Sequence, residues 1–287
     1  DRPCYGFLIV AAMPELPEVE VSRQGLLPYL TGQRIAGAVA RVDKLRHPVP
    51  AALNERLTGL SVNTIHRRGK YLLFDCSGQH GGGWLLLHLG MSGSLRLVPP
   101  GTPAQKHDHF DLQFAQTVLR LRDPRRFGLL LWHAGETIDA HPLLACLGVE
   151  PLSEAFDGEW LHTAIRHRRT PIKPLLMNAR LLVGIGNIYA SESLFLAGIS
   201  PLRAAGNVDR PECDTLADAI RHTLQQSIAA GGSSVRDYVH SDGAAGCFQL
   251  ACAVYDRKGL PCHTCSTPIS AIRQSGRSTF YCSRCQV

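Results

Sequence analysis

The sequence predicts an α+β protein of several domains. Three features carry that reading: eight short strand-like runs before residue 134, a helical texture after about Pro142, and two Cys-x2-Cys pairs at the C-terminus. At 287 residues the chain is long for one domain, so two domains and a small tail are the natural division. Its 45% hydrophobic content allows a sizeable core, and no stretch approaches the roughly eighteen apolar residues of a membrane span. The formal charge of +6 suits a polyanionic partner without choosing one.

Residues 1–12 stand apart, because the apolar run Tyr5 to Ala12 behind Arg2 is too short and too weakly basic for a signal peptide. The expectation is an extension absent from the working protein, with Met13 as the start. From Met13 to Leu30 the spacing of Leu16, Val19, Leu26, Leu27 and Leu30 predicts a helix buried on one side and ended by Thr31-Gly32. Strands are expected at Ile35 to Val42, Leu60 to His66, Tyr71 to Cys76 and Trp84 to Leu89. Four more are expected at Ser94 to Val98, His109 to Phe114, Val118 to Leu121 and Leu129 to His133. Eight strands at that spacing suit a β-sandwich or a barrel. Helical spacing follows at Ser153 to Ile165, Ile172 to Met177, Ile188 to Ala197 and Asp209 to Ala230, with Ser153 and Asp209 as N-caps. Gly231-Gly232 ends the last helix, and Ser233 to Leu250 reads as a loop. The expected divisions are therefore 13–134, a linker 135–151, a helical domain 152–250 and a tail 251–287.

Cys262, Cys265, Cys282 and Cys285 are two pairs separated by sixteen residues, the ligand spacing of one structural Zn2+. Ser266 to Tyr281 alternates well enough to be a hairpin between them. Two disulfides are the competing reading. The spacing favours the metal, because the other six of the ten cysteines are scattered without a framework.

Met13-Pro14-Glu15-Leu16-Pro17-Glu18 brackets a carboxylate with two prolines. With Met13 removed, Pro14 is a terminal secondary amine, and an α-amino pKa of about 8 leaves an appreciable nucleophilic fraction near neutrality. Attack on an aldehyde carbon gives an iminium, positive at every pH, that serves as an electron sink. Glu15 beside it is placed to move protons. A capped helix start with exposed acids is the other reading of the same residues. Arg67-Arg68-Gly69-Lys70-Tyr71 places a lysine at a sheet edge, and a solvated basic turn is its ordinary explanation.

His88 to Gly93 and Asp123 to Gly128 are glycine-bounded turns that carry Met91, Arg125 and Phe127 on loops. Such side chains are usually tucked into a core, but apolar wedges that unstack a duplex also come from loops. Lys106-His107-Asp108-His109 lacks helical His-x3-His spacing, so a metal is not expected there and phosphate contact is the functional alternative. Val183-Gly184-Ile185-Gly186-Asn187-Ile188-Tyr189 lacks the third glycine and the preceding strand of a dinucleotide loop. A joint between helices, whose free N–H groups and Asn187 hold a phosphate, fits better. Arg166, Arg168, Arg169 and Lys173 divide evenly between phosphate contact and a solvated face. Arg273 and Arg277 flank the turn at Gln274-Ser275-Gly276.

Taken in order, these motifs resemble the formamidopyrimidine-DNA glycosylases, the Fpg/MutM type of the Fpg/Nei family. They are Met13 to Glu20, His88 to Gly93, Asp123 to Gly128, Gly186 to Glu192 and the four cysteines. The resemblance covers residues 13–286. It implies an N-terminal β-sandwich with a helix, a helix–two-turn–helix domain and a zinc hairpin around a DNA cleft. The implied activity is a glycosylase and abasic-site lyase that removes 8-oxoguanine and formamidopyrimidines from double-stranded DNA in base excision repair. By resemblance, Pro14 forms the imine, Glu15 donates the proton, Lys70 serves β-elimination and Arg277 serves δ-elimination. Met91, Arg125 and Phe127 fill the space of the flipped base, and His107, Arg168 and Asn187 contact phosphates. Arg168 stands where the family pattern has lysine, and the loop Ser233 to Leu250 lies where relatives cover the lesion. A cytoplasmic, nucleoid-associated monomer is expected. Because an amide nitrogen cannot form an iminium, activity requires Pro14 to be the terminus. Two other readings remain: an endonuclease VIII-like enzyme for oxidised pyrimidines, whose opening has Gly in place of Leu16, and a non-catalytic zinc-dependent DNA binder.

Overall fold

The structure, a computed structural model, describes residues 14–79, 81–231 and 252–287. The expected extension, Met13 and the expected lesion loop Ser233 to Leu250 lie outside the described residues. Helix α1 (Leu16–Leu30) opens the chain with a proline in its first turn, and Thr31 closes it by donating its N–H to Leu27. Eight strands follow: β1 (Ile35–Ala40), β2 (Ser61–Arg68), β3 (Tyr71–Gly78), β4 (Gly81–His88), β5 (Ser94–Val98), β6 (Asp108–Phe114), β7 (Val118–Arg122) and β8 (Leu129–His133). A short helix α2 (Leu53–Leu57), not expected from the sequence, sits between β1 and β2.

The strands form two four-stranded sheets, ordered β1-β6-β7-β5 and β2-β3-β4-β8, with antiparallel pairing throughout. This is a sandwich and not a barrel. Its core draws Ile35, Phe110, Leu112 and Leu121 from one sheet and Ile65, Leu72, Phe74 and Leu87 from the other. Residues Ile138 and Leu144 of the following segment cover Leu73 and Leu86 on the opposite face of the second sheet. Hence the strand pattern before residue 134 has a physical basis: alternate residues meet a core, and β3 and β4 are apolar on both faces because both faces are covered.

The helical half comprises α3 (Gly158–Ile165), α4 (Ile172–Leu176), α5 (Asn187–Leu196) and α6 (Arg210–Ala229). Asp209 caps α6 as expected, in a reciprocal capping box with Glu212. Ser153 does not cap α3. Residues 153–156 form a turn, Phe156 donating to the Ser153 carbonyl, and Asp157 caps α3 through Trp160 N–H at 2.7 Å. The helices share a second core around Phe156, Tyr189, Leu194 and Leu216. Leu16 belongs to that core while Val19, Leu26 and Leu30 of the same helix belong to the sandwich, so α1 is the element that joins the halves.

The tail is a two-stranded hairpin of β9 (Ser270–Gln274) and β10 (Arg277–Tyr281). Its turn residues Ser275 and Gly276 both have positive φ, 49° and 77°, which matches the right-handed twist of the strands. Among the described residues, no helix is long and apolar enough to cross a membrane.

Candidate active site and DNA-binding seam

The acids of the opening motif are not an exposed face. Glu15 is 1% exposed, and Glu18 and Glu20 are also buried. Glu15 sits just before α1, and its carboxylate crosses to the helical half, accepting from Gly186 N–H at 2.7 Å and Ile188 N–H at 3.0 Å. Leu16 N–H donates to the Gly184 carbonyl beside it. The glycines are there for space: a Cβ on Gly186 would lie 2.2 Å from the Glu15 carboxyl carbon, and one on Gly184 would lie 2.7 Å from Leu16. This narrows one expectation, because two of the N–H groups at the start of α5, those of Gly186 and Ile188, hold a carboxylate of the protein.

Burial raises the Glu15 pKa above the ordinary carboxylate value. The charge of Lys70 and the two backbone donors lower it part of the way back, and Glu18 adds to the rise. Glu18 in turn accepts from Glu15 N–H at 2.9 Å and from the Tyr189 hydroxyl at 2.6 Å. Pro14, the residue before Glu15, is half-buried.

Lys70 occupies the β2–β3 turn, half-buried. Its neighbours are not a solvated basic turn. Arg67 bonds Glu20 at 2.9 Å and Glu150 at 2.8 Å, and Arg68 bonds Glu150 at 3.1 Å. Gly69 donates to Glu150 and packs on Val183, where a Cβ would lie 2.3 Å away. The two arginines thus fix the turn that carries Lys70 against the same segment that holds Glu15. His88 is neighbour to this cluster; burial, with Lys70 and Arg46, lowers its pKa to about 4, so it stays neutral and its Nδ1 accepts Gly90 N–H at 2.9 Å.

Met91 is half-buried, Arg125 is exposed and Phe127 is 44% exposed, so the last two are not tucked into the core. Arg125 stacks over the Phe127 ring at 4.8 Å. Buried Asp123 clamps the two loops together, accepting from Ser92 Oγ and Gly128 N–H at 2.7 Å each. His107 lies next to this clamp, half-buried, and its carbonyl accepts Asp123 N–H at 3.0 Å.

Lys173 is the residue that sequence reasoning misplaced. Arg166, Arg168 and Arg169 are exposed, but Lys173 is 1% exposed. It donates to Asn187 Oδ1 at 2.6 Å, Thr279 Oγ1 at 2.8 Å and the Ser278 carbonyl at 3.1 Å. One ammonium therefore ties α4 and α5 to β10. Burial lowers its pKa to about 8, with Glu15 pulling it up and Arg277 pushing it down. Exposed Arg277 and Lys173 line a pocket of about 150 Å3 with Met177, Gln274 and Thr279. Glu192, unnoticed in the sequence except as the end of its motif, accepts the N–H groups of Ala253, Val254 and Tyr255 at 2.7–3.0 Å and anchors the approach to the hairpin.

The sulfurs of Cys262, Cys265, Cys282 and Cys285 all lie within 4.8 Å of one another. Cys262–Cys285 is 3.9 Å and Cys265–Cys282 is 3.4 Å, close to the edge of about 3.8 Å that a tetrahedron of thiolates at Zn–S distances of about 2.3 Å requires. All four are free thiols. Among the described residues, the fully buried part of the hairpin core is Val254, Ile269, Phe280, Cys262 and Cys282, too little to fold unaided. The four thiols fit one structural zinc, which fastens the strands that carry Arg277.

A sandwich and a helical domain that share α1, with a buried carboxylate at their junction and a four-cysteine hairpin pinned beside it, define a three-part clamp. Comparison with known proteins places it. Residues 13–130 match the formamidopyrimidine-DNA glycosylase N-terminal domain, 147–239 its H2TH domain and 259–287 a zinc finger found in FPG and IleRS. The formamidopyrimidine-DNA glycosylase of Dechloromonas aromatica (strain RCB) is 59% identical over 276 residues, covering 96% of this chain and all of that protein. A Lactococcus lactis Fpg mutant in complex with a Fapy-dG containing DNA superposes with a TM-score of 0.86 at 35% identity, covering 95% of this chain and 99% of that one. The same organism's Fpg in complex with an abasic site containing DNA gives 0.85, at the same identity and coverage. The chain belongs to the formamidopyrimidine-DNA glycosylase family.

Proposed function

We infer that this protein is a bifunctional DNA glycosylase and abasic-site lyase that excises oxidised purines from damaged double-stranded DNA. The observation that carries the mechanism is the half-buried Pro14 next to Glu15, whose carboxylate is held by two N–H groups across the seam. The lesion nucleotide is turned out of the duplex, at a cost of a few kcal/mol. The Pro14 nitrogen then attacks C1′ of its sugar, and the electrons of the glycosidic bond leave with the base. Glu15, whose raised pKa favours its protonated form, gives a proton to the ring oxygen as the sugar opens. The resulting iminium acidifies C2′, so loss of a C2′ proton expels the 3′ phosphate and a second elimination expels the 5′ phosphate.

Lys70 serves the first elimination and Arg277 the second, in this reading. Both are supported by position: Lys70 acts electrostatically on Glu15, and Arg277 acts on Lys173 beside Asn187. Met91, Arg125 and Phe127 occupy the vacated stack, supported by the exposure of the last two. His107 and Arg168 contact phosphates. Asn187 does so through what its link to Lys173 leaves available, which makes Lys173 and Asn187 one unit. The four cysteines would hold the zinc, which takes no part in these steps. With DNA as substrate, the working location is the nucleoid of the cytoplasm.

All of this requires Pro14 to carry a free nitrogen. The reading is tested with duplexes that hold one 8-oxoguanine or one oxidised pyrimidine. Cutting at 8-oxoguanine that leaves phosphate on both ends is expected. Preferential cutting at the pyrimidine favours an endonuclease VIII-like enzyme, and binding without cutting favours the non-catalytic reading.

A further inference from the structure

The segment Lys106-His107-Asp108-His109 places a non-glycine residue, His107, at φ 76°, in the left-handed region that L side chains avoid. Something must hold it there, and the surroundings show what does. Asp108, the first residue of β6, is closed off from solvent, and its Oδ2 accepts Gln105 N–H at 2.9 Å while its own N–H returns to the Gln105 carbonyl at 3.0 Å. This reciprocal pair closes a turn over residues 105–108 with His107 at its tip. The carboxylate is held from behind by guanidiniums: Arg96 at 2.8 Å, Arg120 at 3.7 Å and Arg122 at 3.9 Å. Arg120 also donates to the carbonyls of Thr102 and Pro103, at 2.9 and 3.0 Å, which fixes the approach to the same turn. On the far side, Asp123 N–H takes the His107 carbonyl, so the peptide is gripped from both ends.

We propose that Asp108 is the positioning residue that aims His107 at the DNA backbone, with the Arg96, Arg120 and Arg122 cluster keeping its carboxylate in place. The proposal rests on His107 as a phosphate contact. Asp108 never meets the DNA in this arrangement; it fixes the turn from which His107 projects, and the His107 carbonyl, accepting Asp123 N–H, ties that turn to the loop bearing Arg125 and Phe127. A turn left to its own preference would release His107 from the left-handed region and swing the imidazole away. Local strain held by a surrounding network is the usual sign of a geometry kept for function.

The experiment is a double-mutant cycle on the full protein, reading the affinity for a duplex that holds an abasic-site analogue. H107A and D108N each weaken binding roughly tenfold, the loss of one charge-assisted contact. The double variant is no weaker than H107A, because Asp108 acts only through His107. D108E, which keeps the negative charge among the arginines but displaces the oxygen that accepts from Gln105, reproduces the loss if D108N fails to fold. N54A removes the acceptor of the Ala38 N–H on β1, at 2.8 Å and away from the turn; it lowers the melting temperature and leaves affinity unchanged. If H107A binds normally, the phosphate contact itself is wrong. If H107A weakens binding but D108N and D108E do not, or if their losses add in full to that of H107A, Asp108 is not the positioning residue.

Discussion

Gly186→Ala isolates the junction on which the chemistry depends. The backbone at Gly186 is extended, φ −122° and ψ −156°, so alanine adopts it without conformational cost and the effect is purely steric. The new methyl would meet the Glu15 carboxyl at 2.2–2.6 Å, against ordinary contact at about 3.5–4 Å, so the carboxylate must retreat by about 1 Å. That retreat gives up the bonds from Gly186 and Ile188, now 2.7 and 3.0 Å. Leaving each of these buried donors unpaired costs about 1–3 kcal/mol, and at 1% exposure of Glu15 water does not replace the lost acceptor. A misplacement of about 1 Å at the reacting centre costs on the order of a hundredfold in rate. Single-turnover excision of 8-oxoguanine, with zinc content and duplex affinity as controls, reads the loss directly. A G186A rate within twofold of the parent, with both controls unchanged, would refute the claim that these N–H groups position Glu15.

Three further outcomes follow from the same geometry. Removing zinc with a chelator, or replacing Cys282 with alanine, unfolds the hairpin, because metal binding of about 10–16 kcal/mol stands in for its small core; one zinc per chain by metal analysis and loss of duplex binding on removal are expected, and a metal-free hairpin that still binds DNA contradicts this. Lys173 has a folded pKa of about 8, below its ordinary 10.5, so burying its charge costs stability below pH 8 and that cost fades as pH rises to 10.5. Denaturation of the parent and K173M should therefore differ between pH 7.5 and 10.5 by up to about 3 kcal/mol in favour of the parent at high pH, and a pH-independent difference would exclude the depressed lysine. Asp123→Ala removes both acceptors of a closed clamp and leaves the Gly128 N–H unpaired, costing about 1–3 kcal/mol, visible as a lower melting temperature and faster amide exchange at residues 90–93; unchanged exchange there would show that Asp123 does not couple the loops.

The strands were legible because each meets a core on at least one face. The departures are local. β4 begins at Gly81, three residues before the expected start at Trp84; a Cβ on Gly83 would lie 2.4 Å from the His133 carbonyl, so glycine there allows close pairing. α2 escaped notice because it has five residues and an N-cap, Ala52, at φ 58° with no capping side chain. The site was legible as residue types but not as contacts. Glu15, Glu18 and Glu20 read as a solvated acidic turn of helix, since the groups that take them inside come from elsewhere: Gly186, Ile188 and Tyr189 for the first two, Arg67 for the third. Arg67 and Arg68 were obscured for the same reason, with Glu150 some eighty residues away. Lys173 looked like one member of a basic surface run, and only the arrival of β10 shows it to be enclosed. A cation inside a helical run carries no periodic mark of burial when its partners lie on another domain.

The central claim is that a free Pro14 nitrogen forms the covalent link to the sugar. Borohydride reduction of the native protein with an 8-oxoguanine duplex, followed by digestion and mass mapping, tests it most directly. The account predicts a stable protein–DNA adduct whose modified peptide begins at Pro14. Cutting of the lesion strand by protein whose intact mass begins before Pro14, or an adduct mapped to a lysine instead, would contradict it.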